Sequence, residues 1–157
     1  TDFNFSGDLA HLFLEECALD DKFQLKVPKS WAINTIGHAQ HDLDPIFEKF
    51  SYDPLYAKIL KAVGYKRPTC VQSMYIFKSP NVGAKVDPHT DNMFLTTEPL
   101  TTIGVWISLD DATKENGCMW GVPGSHKTPT KYFMKRKPDE SGTYFEGDAS
   151  EPDINNA

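Results

Sequence analysis

A chain of 157 residues suggests one domain or a large part of one. With 39% hydrophobic and 24% charged residues it reads as soluble and globular, and a net charge of -6 with scattered lysines and arginines argues against a nucleic-acid surface. No apolar run approaches the roughly 20 residues that span a bilayer.

The start shows no signal-peptide pattern. Cys17, Cys70 and Cys118 are widely spaced, which fits thiols in a reducing compartment better than a disulfide framework, so the cytoplasm is the expected location. The ends, Thr1 and Asn155-Asn156-Ala157, look cut from something longer or processed.

Ser6-Gly7-Asp8 reads as a helix N-cap region, with Leu9, Leu12 and Phe13 following at helical spacing and His11 on the surface or edge of that helix. Phe23, Leu25 and Val27 alternate, predicting a short strand over 22–27 that Pro28 ends. His38 and His41, three residues apart, can meet on a helical face and share a metal, though polar residues at a domain mouth are the plainer reading. Asp44-Pro45 marks a turn or the start of a short helix. Asp53-Pro54 opens the clearest helix, with Leu55, Ile59, Leu60 and Val63 on its apolar face and Gly64 at its stop.

The chain then changes character. Cys70 to Phe77 reads as a strand, with Val71, Ser73, Tyr75 and Phe77 on one face and Gln72, Met74 and Ile76 on the other. Ser79 to Gly83 is a loop. In Val86-Asp87-Pro88-His89-Thr90-Asp91, a histidine and an aspartate stand two apart; in extended backbone such positions share a face. An imidazole nitrogen and a carboxylate oxygen then converge, and those are two of the three ligand types of a non-heme iron(II) facial triad. Alone, such a pair is a weak signal.

Thr96 to Pro99 reads as an exposed loop, and Ile103 to Leu109 as a β-rich stretch in which Val105, Ile107 and Leu109 alternate against Trp106. Asn116-Gly117 signals a tight turn. Cys118 to Val122 is a further predicted strand, broken by Pro123-Gly124. The apolar pattern fades after Lys127; the basic run Lys131 to Lys137 reads as a solvated loop or helix face, and Pro138 to Pro152 as a long loop. Helices first and short strands after suggest a mainly β (α+β) fold, a sandwich or barrel with helical support.

Several motifs occur in one order and spacing: Val71 to Lys78, Pro88-His89-Thr90-Asp91, Gly104-Val105-Trp106-Ile107, Glu115 to Trp120, and Val122 to His126. Together they resemble the phytanoyl-CoA dioxygenase family of iron(II)- and 2-oxoglutarate-dependent oxygenases. Ile33 to Ala39 resembles its "domain-containing protein 1" branch. The resemblance runs from about Phe13 to Tyr132. It implies a double-stranded β-helix, a cupin-like jelly roll with N-terminal helices, formed by residues 1–157 as a single domain incomplete at its C-terminus. It further implies that His89 and Asp91 are catalytic iron ligands, and that Met74, Trp106 and Thr35 line the 2-oxoglutarate site. Read as residues alone, Met74 and Trp106 are more plainly core residues, the usual fate of a methionine or tryptophan on a strand. The implied reaction hydroxylates a small organic substrate while 2-oxoglutarate is decarboxylated to succinate, with Fe(2+) as the metal and neither nucleic acid nor membrane as partner.

The family pattern departs at three places. Its distal histidine ligand lies far downstream, whereas the last histidine here is His126, which belongs to the Pro-Gly-Ser-His motif. The arginine that grips the far carboxylate of 2-oxoglutarate lies beyond that histidine. Relatives tend to carry lysine where this chain has Thr35. The alternative is therefore a truncated isoform or pseudoenzyme acting as a non-catalytic binding or interaction module. A third reading is an unrelated cupin-like metal or sugar binder.

Overall fold

Three short strands build the sheet of the first half of the chain: β1 (Ala10–Leu14), β2 (Ile33–His38) and β3 (Ser73–Ile76), antiparallel and in the order β1-β2-β3. The computed structural model describes residues 7–148, and the chain divides into two compact units, Thr1–Ala84 and Lys85–Ala157. The helix expected after Gly7 and Asp8 is strand β1 instead; Ser6 lies outside the described residues. Leu9, Leu12 and Phe13 satisfy either period in so short a window. Pairing decides: Leu12 lies opposite Ile36 and Phe13 opposite Thr35. His11 is half-buried on this strand.

Directly opposed residues share a face of the sheet. His11, Gly37 and Met74 form one row across it, and Phe13, Thr35 and Ile76 form the next on the same face. A Cβ placed on Gly37 would lie 3.7 Å from both Met74 Cγ and Phe13 Cε2, so these rows are in contact. Tyr75 projects to the other face and meets Phe47 edge-on at 6.0 Å. The expected alternation of the 70–77 stretch is present, although the paired strand is only Ser73–Ile76.

Helix α1 (Gln40–Leu43) follows β2 closely, so His38 and His41 do not share a helical face: His38 ends the strand and His41 is the second residue of the helix. Helices α2 (Pro45–Ser51) and α3 (Pro54–Ala62) start where the Asp-Pro steps predict. Asp44 Oδ1 accepts from the Ile46 and Phe47 amides at 2.8 and 3.1 Å, and Asp53 Oδ1 from the Leu55 amide at 2.8 Å. Each satisfies orphan donors of the first turn, and proline at the first helical position loses nothing. Gly64 ends α3 with φ of 102°, the left-handed stop that glycine permits. The apolar face of α3 is exposed rather than packed: Leu55, Ile59 and Val63 are all solvent-facing.

The strand expected over 22–27 reduces to one isolated bridge, Leu19 with Leu25. Asp20 explains it. Its Oδ1 takes the Lys22 and Gln24 amides, both at 2.8 Å, so the segment folds back on a side chain instead of joining a ladder. The fully buried interior is small and mixed: Ala18, Ala32, Ala39 and Val82 beside Glu15, Thr35, His38, Gln40 and His41.

In the second unit the regular structure is a hairpin, β4 (Tyr132–Arg136) with β5 (Thr143–Gly147). This corrects two expectations, since the basic run lies in a strand and the long loop contains one; residues 149–152 of that loop lie outside the described residues. Tyr132 stacks on Phe145 at 4.8 Å with rings 17° from parallel. Lys135 pairs with Glu146 across the strands, which holds its ammonium pKa above the ordinary lysine range. At the tip, Asp139 Oδ1 accepts from the amide and hydroxyl of Ser141, and these bonds lower its carboxyl pKa.

The stretches 103–109 and 118–122, expected as strands, form no ladder. Alternation supplies two faces, but a strand also needs a hydrogen-bonded neighbour, and none among the described residues pairs with them. Val105, Trp106, Ile107 and Leu109 are accordingly exposed. The Asn116-Gly117 turn does form: Thr113 and Asn116 cap each other reciprocally, and Gly117 has φ of 89°. The result is a mixed α/β chain with antiparallel sheets and few helices; the paired strands among the described residues form one three-stranded sheet and one two-stranded hairpin. No helix among the described residues is long and apolar enough to cross a membrane.

Gly147 limits the hairpin. Its φ is 119°, and a Cβ there would collide with the Lys131 carbonyl. Gly147→Ala is expected to destabilise the second unit by roughly 1–3 kcal/mol, read as lost amide-exchange protection at Lys137 and Asp148, whose N–H groups close the hairpin's ends.

Candidate metal centre

The sequence Asp87-Pro88-His89-Thr90-Asp91 is held at its Asp91 end by backbone hydrogen bonds and at its Asp87 end by the His89 side chain. Thr90 is extended, with φ of -119° and ψ of 144°, and Asp91 then opens a 3₁₀ turn over Asp91–Met93. The Phe94 and Leu95 amides both donate to the Asp91 carbonyl, at 3.0 and 2.9 Å, which tightens the turn. Extended backbone at Thr90 brings its two neighbours to one side: His89 Nε2 and Asp91 Oδ1 are 3.9 Å apart. The Thr90 hydroxyl meets that of Thr130 at 3.2 Å.

His89 Nδ1 lies 2.8 Å from the Asp87 carbonyl oxygen. A carbonyl can only accept, so Nδ1 carries the proton in this contact, and in the neutral ring the lone pair is then on Nε2. Imidazoles that bind metals are usually oriented in this way by a partner on the other nitrogen. Phe94 supports the ring edge-on at 5.4 Å, Phe94 meets Phe145 at 5.8 Å, and Phe145 stacks on Tyr132. The hairpin that residue order leaves obscure thus buttresses the histidine. Phe94, three residues past Asp91, is a signal that sequence reading can find; Phe145 is too distant along the chain to be found that way.

The donor set fits a divalent metal of the iron type: one neutral imidazole nitrogen and one carboxylate. Adjacent ligands about an octahedral ion at about 2.1 Å lie roughly 3 Å apart, so the observed 3.9 Å must close by about one ångström on loading. Both side chains are partly solvent-exposed, which leaves them that freedom. Among the described residues, no group of three or more histidine, cysteine, aspartate or glutamate side chains is gathered for a metal. His126 is exposed in the 3₁₀ turn Ser125–Lys127.

Of the residues expected to line a cosubstrate site, Thr35 and Met74 stand on one face of the first unit's sheet, in adjacent rows. Thr35 is buried and its hydroxyl donates to Asn34 Oδ1 at 2.5 Å, while Met74 is half-exposed. Trp106 belongs to the second unit and is half-exposed. Two open clefts are present, neither lined by His89 or Asp91. One is lined by Pro45, Glu48, Tyr52 and Pro54, the other by Thr96, Pro99, Leu100, Phe133 and Met134.

A polar cluster that sequence reading missed centres on Ser73. Its Oγ accepts the His41 amide at 3.0 Å, lies 2.9 Å from His41 Nδ1 and 3.2 Å from Gln40 Oε1, and thereby ties α1 to β3. Gln40 Nε2 donates to the Ile36 carbonyl at 2.5 Å. His41 Nε2 faces the exposed Asp42 carboxylate at 3.6 Å, and the His38 ring packs on Phe13 at 5.3 Å. The two histidines are therefore committed to different neighbours, which favours the plain reading of the pair over a shared metal. Burial beside this cluster raises the Cys70 thiol pKa, with the nearby Asp42 charge adding to it.

A model of the family described as phytanoyl-CoA dioxygenase (PhyH) matches residues 2–157. The chain belongs to the phytanoyl-CoA dioxygenase family. It is 48% identical to phytanoyl-CoA dioxygenase 1 of Oryza sativa subsp. japonica over 146 residues, covering 92% of this chain and 51% of the relative. It is 47% identical to phytanoyl-CoA dioxygenase of Arabidopsis thaliana over 122 residues, 78% of this chain and 43% of the relative. With phytanoyl-CoA dioxygenase domain-containing protein 1 of Mus musculus it shares 44% identity over 141 residues, 89% of this chain and 48% of the relative. The expected family resemblance, including that branch, is confirmed. The chain spans about half the length of the curated relatives it matches.

Ser73→Ala removes the acceptor of the buried His41 amide and the partner of its ring. The expected outcome is a loss of about 1–3 kcal/mol of stability, measured by urea denaturation, from a substitution outside the His89–Asp91 pair.

Proposed function

We propose that this phytanoyl-CoA dioxygenase family chain contributes His89 and Asp91 as ligands to iron(II) in a 2-oxoglutarate-dependent dioxygenase that hydroxylates a small organic substrate. The observation that carries the reading is the His89 ring, pinned through Nδ1 to the Asp87 carbonyl with Nε2 turned toward the Asp91 carboxylate. Family membership supports the reaction class. The same reading takes residues 1–157 as one domain of jelly-roll type and places it in the cytosol, which fits three free cysteines.

Iron(II) with bound 2-oxoglutarate would supply oxidative decarboxylation of the keto acid and hydroxylation of the substrate by dioxygen. The chain's residues hold and orient. His89 offers a neutral nitrogen donor; Asp91 offers a hard, charged oxygen that offsets part of the metal's charge. The Asp87 carbonyl keeps the imidazole in the tautomer that leaves Nε2 open. Phe94 shields one side of the ring from water. Met74, Trp106 and Thr35 are carried over from the family pattern as residues that bind the cosubstrate.

One observation favours a second reading, a non-catalytic binding module: the Thr35 hydroxyl is already committed to Asn34 and brings no positive charge to a cosubstrate carboxylate. An anaerobic iron(II) titration with 2-oxoglutarate separates the two. The expected outcome is a visible charge-transfer band saturating at about one iron per chain. That band should vanish in His89→Ala, and succinate formation in Asp91→Ala should fall by more than the roughly 10–100-fold seen when only a supporting group is lost. A folded chain with no band favours the binding module.

A further inference from the structure

On the side of the Asp91 carboxylate that carries Oδ2, the nearest stretch of chain is a glycine. Gly104 sits there: a Cβ on it would lie 2.5 Å from Asp91 Oδ2 and 3.7 Å from Asp91 Cγ. Real Cβ atoms do not come that close to another heavy atom, so any other residue at 104 displaces the carboxylate.

The approach is built by three hydrogen bonds. The Thr102 amide donates to Asn92 Oδ1 at 3.3 Å, the Thr102 hydroxyl donates to the Leu95 carbonyl at 2.6 Å, and the Thr96 hydroxyl donates to the Asn92 carbonyl at 3.2 Å. The first two fasten the 3₁₀ turn that begins at Asp91 to the segment entering Gly104, and the third closes the turn on itself. The glycine is not required by its own backbone, because its φ lies outside the left-handed range that only glycine adopts freely. Its crowding neighbour is only the end of one side chain. A methyl group can therefore be accommodated by the fold, and what it moves is the carboxylate.

We infer that Gly104 is a positioning residue for the metal site: it leaves the space in which the Asp91 carboxylate sits beside His89 Nε2. The inference rests on the proposed metal-binding role of Asp91. Asp91 Oδ1 faces His89 while Oδ2 faces Gly104. The two oxygens are rigidly joined, so pushing Oδ2 away also turns Oδ1 off its line to the metal. No interaction of the glycine with the metal is involved.

The test is a cobalt(II) titration of the full chain, followed by the visible d–d bands that report ligand geometry, in the parent, Asp91→Ala, Gly104→Ala and Gly121→Ala. Gly121 lies in the same unit with nothing within 4 Å of a Cβ, so its alanine variant controls for the substitution itself. Expected are a roughly 10–100-fold weaker affinity and altered band intensity in Gly104→Ala, parent-like behaviour in Gly121→Ala, and an unchanged circular dichroism spectrum in both. If the parent and Gly104→Ala bind alike while Asp91→Ala fails, the inference about Gly104 is overturned and the metal-site reading stands. If the parent takes up no cobalt, or Asp91→Ala binds as the parent does, the metal-site reading falls and Gly104 falls with it. Loss of fold in Gly104→Ala overturns the inference as well, because it requires that only a side-chain end be displaced.

Discussion

Strand β2 is hydrogen-bonded on both edges, and the first unit depends on that. Its pairing with β1 turns a segment of ambiguous periodicity into a strand, and its pairing with β3 brings residues 33–38 beside residues 73–76. A central strand leaves no open backbone donors in the interior, so the polar residues gathered at its end can be buried at tolerable cost. Thr35, His38, Gln40 and His41 are all buried there, and Ser73 ties Gln40 and His41 to the neighbouring strand. Apolar burial is sparse in comparison, limited among the described residues to Ala18, Ala32, Ala39 and Val82. Directional bonds, more than area removed from water, specify this unit.

The second unit uses a different device. Few of its residues lie in ladders, and the His89–Asp91 pair is positioned by local backbone together with an aromatic row running Phe94, Phe145, Tyr132. The result combines order and freedom. The imidazole is fixed by a carbonyl and a ring, whereas the carboxylate is restrained chiefly by the space that Gly104 leaves. In the proposed metal site, whose two donors would have to close by about an ångström around an ion, a rigid nitrogen donor and an adjustable oxygen donor form a workable combination.

Local features were legible in residue order. Asp44-Pro45, Asp53-Pro54 and Gly64 set helix boundaries through bonds made within one turn, and Asn116-Gly117 set its turn in the same way. The closeness of His89 and Asp91 was legible too, because it follows from one extended residue between them. The errors came from elements that need a partner. Residues 9–14 match helix and strand equally until β2 is present, residues 103–109 alternate without a neighbour among the described residues to pair with, and the β4–β5 hairpin is hidden in a polar stretch because its stability comes from cross-strand pairs such as Tyr132–Phe145 and Lys135–Glu146.

By itself, then, the sequence determined the helix caps, the turns, the family and the spacing that sets an imidazole beside a carboxylate. These depend on groups a few residues apart, or on the order of motifs, and both survive without knowledge of the fold. Tertiary structure alone decided which alternating stretches become strands, which histidines are consumed by buried hydrogen bonds, and that Gly104 comes against Asp91. Each of those is a contact between segments remote in sequence, and chain order does not say which remote segments will meet.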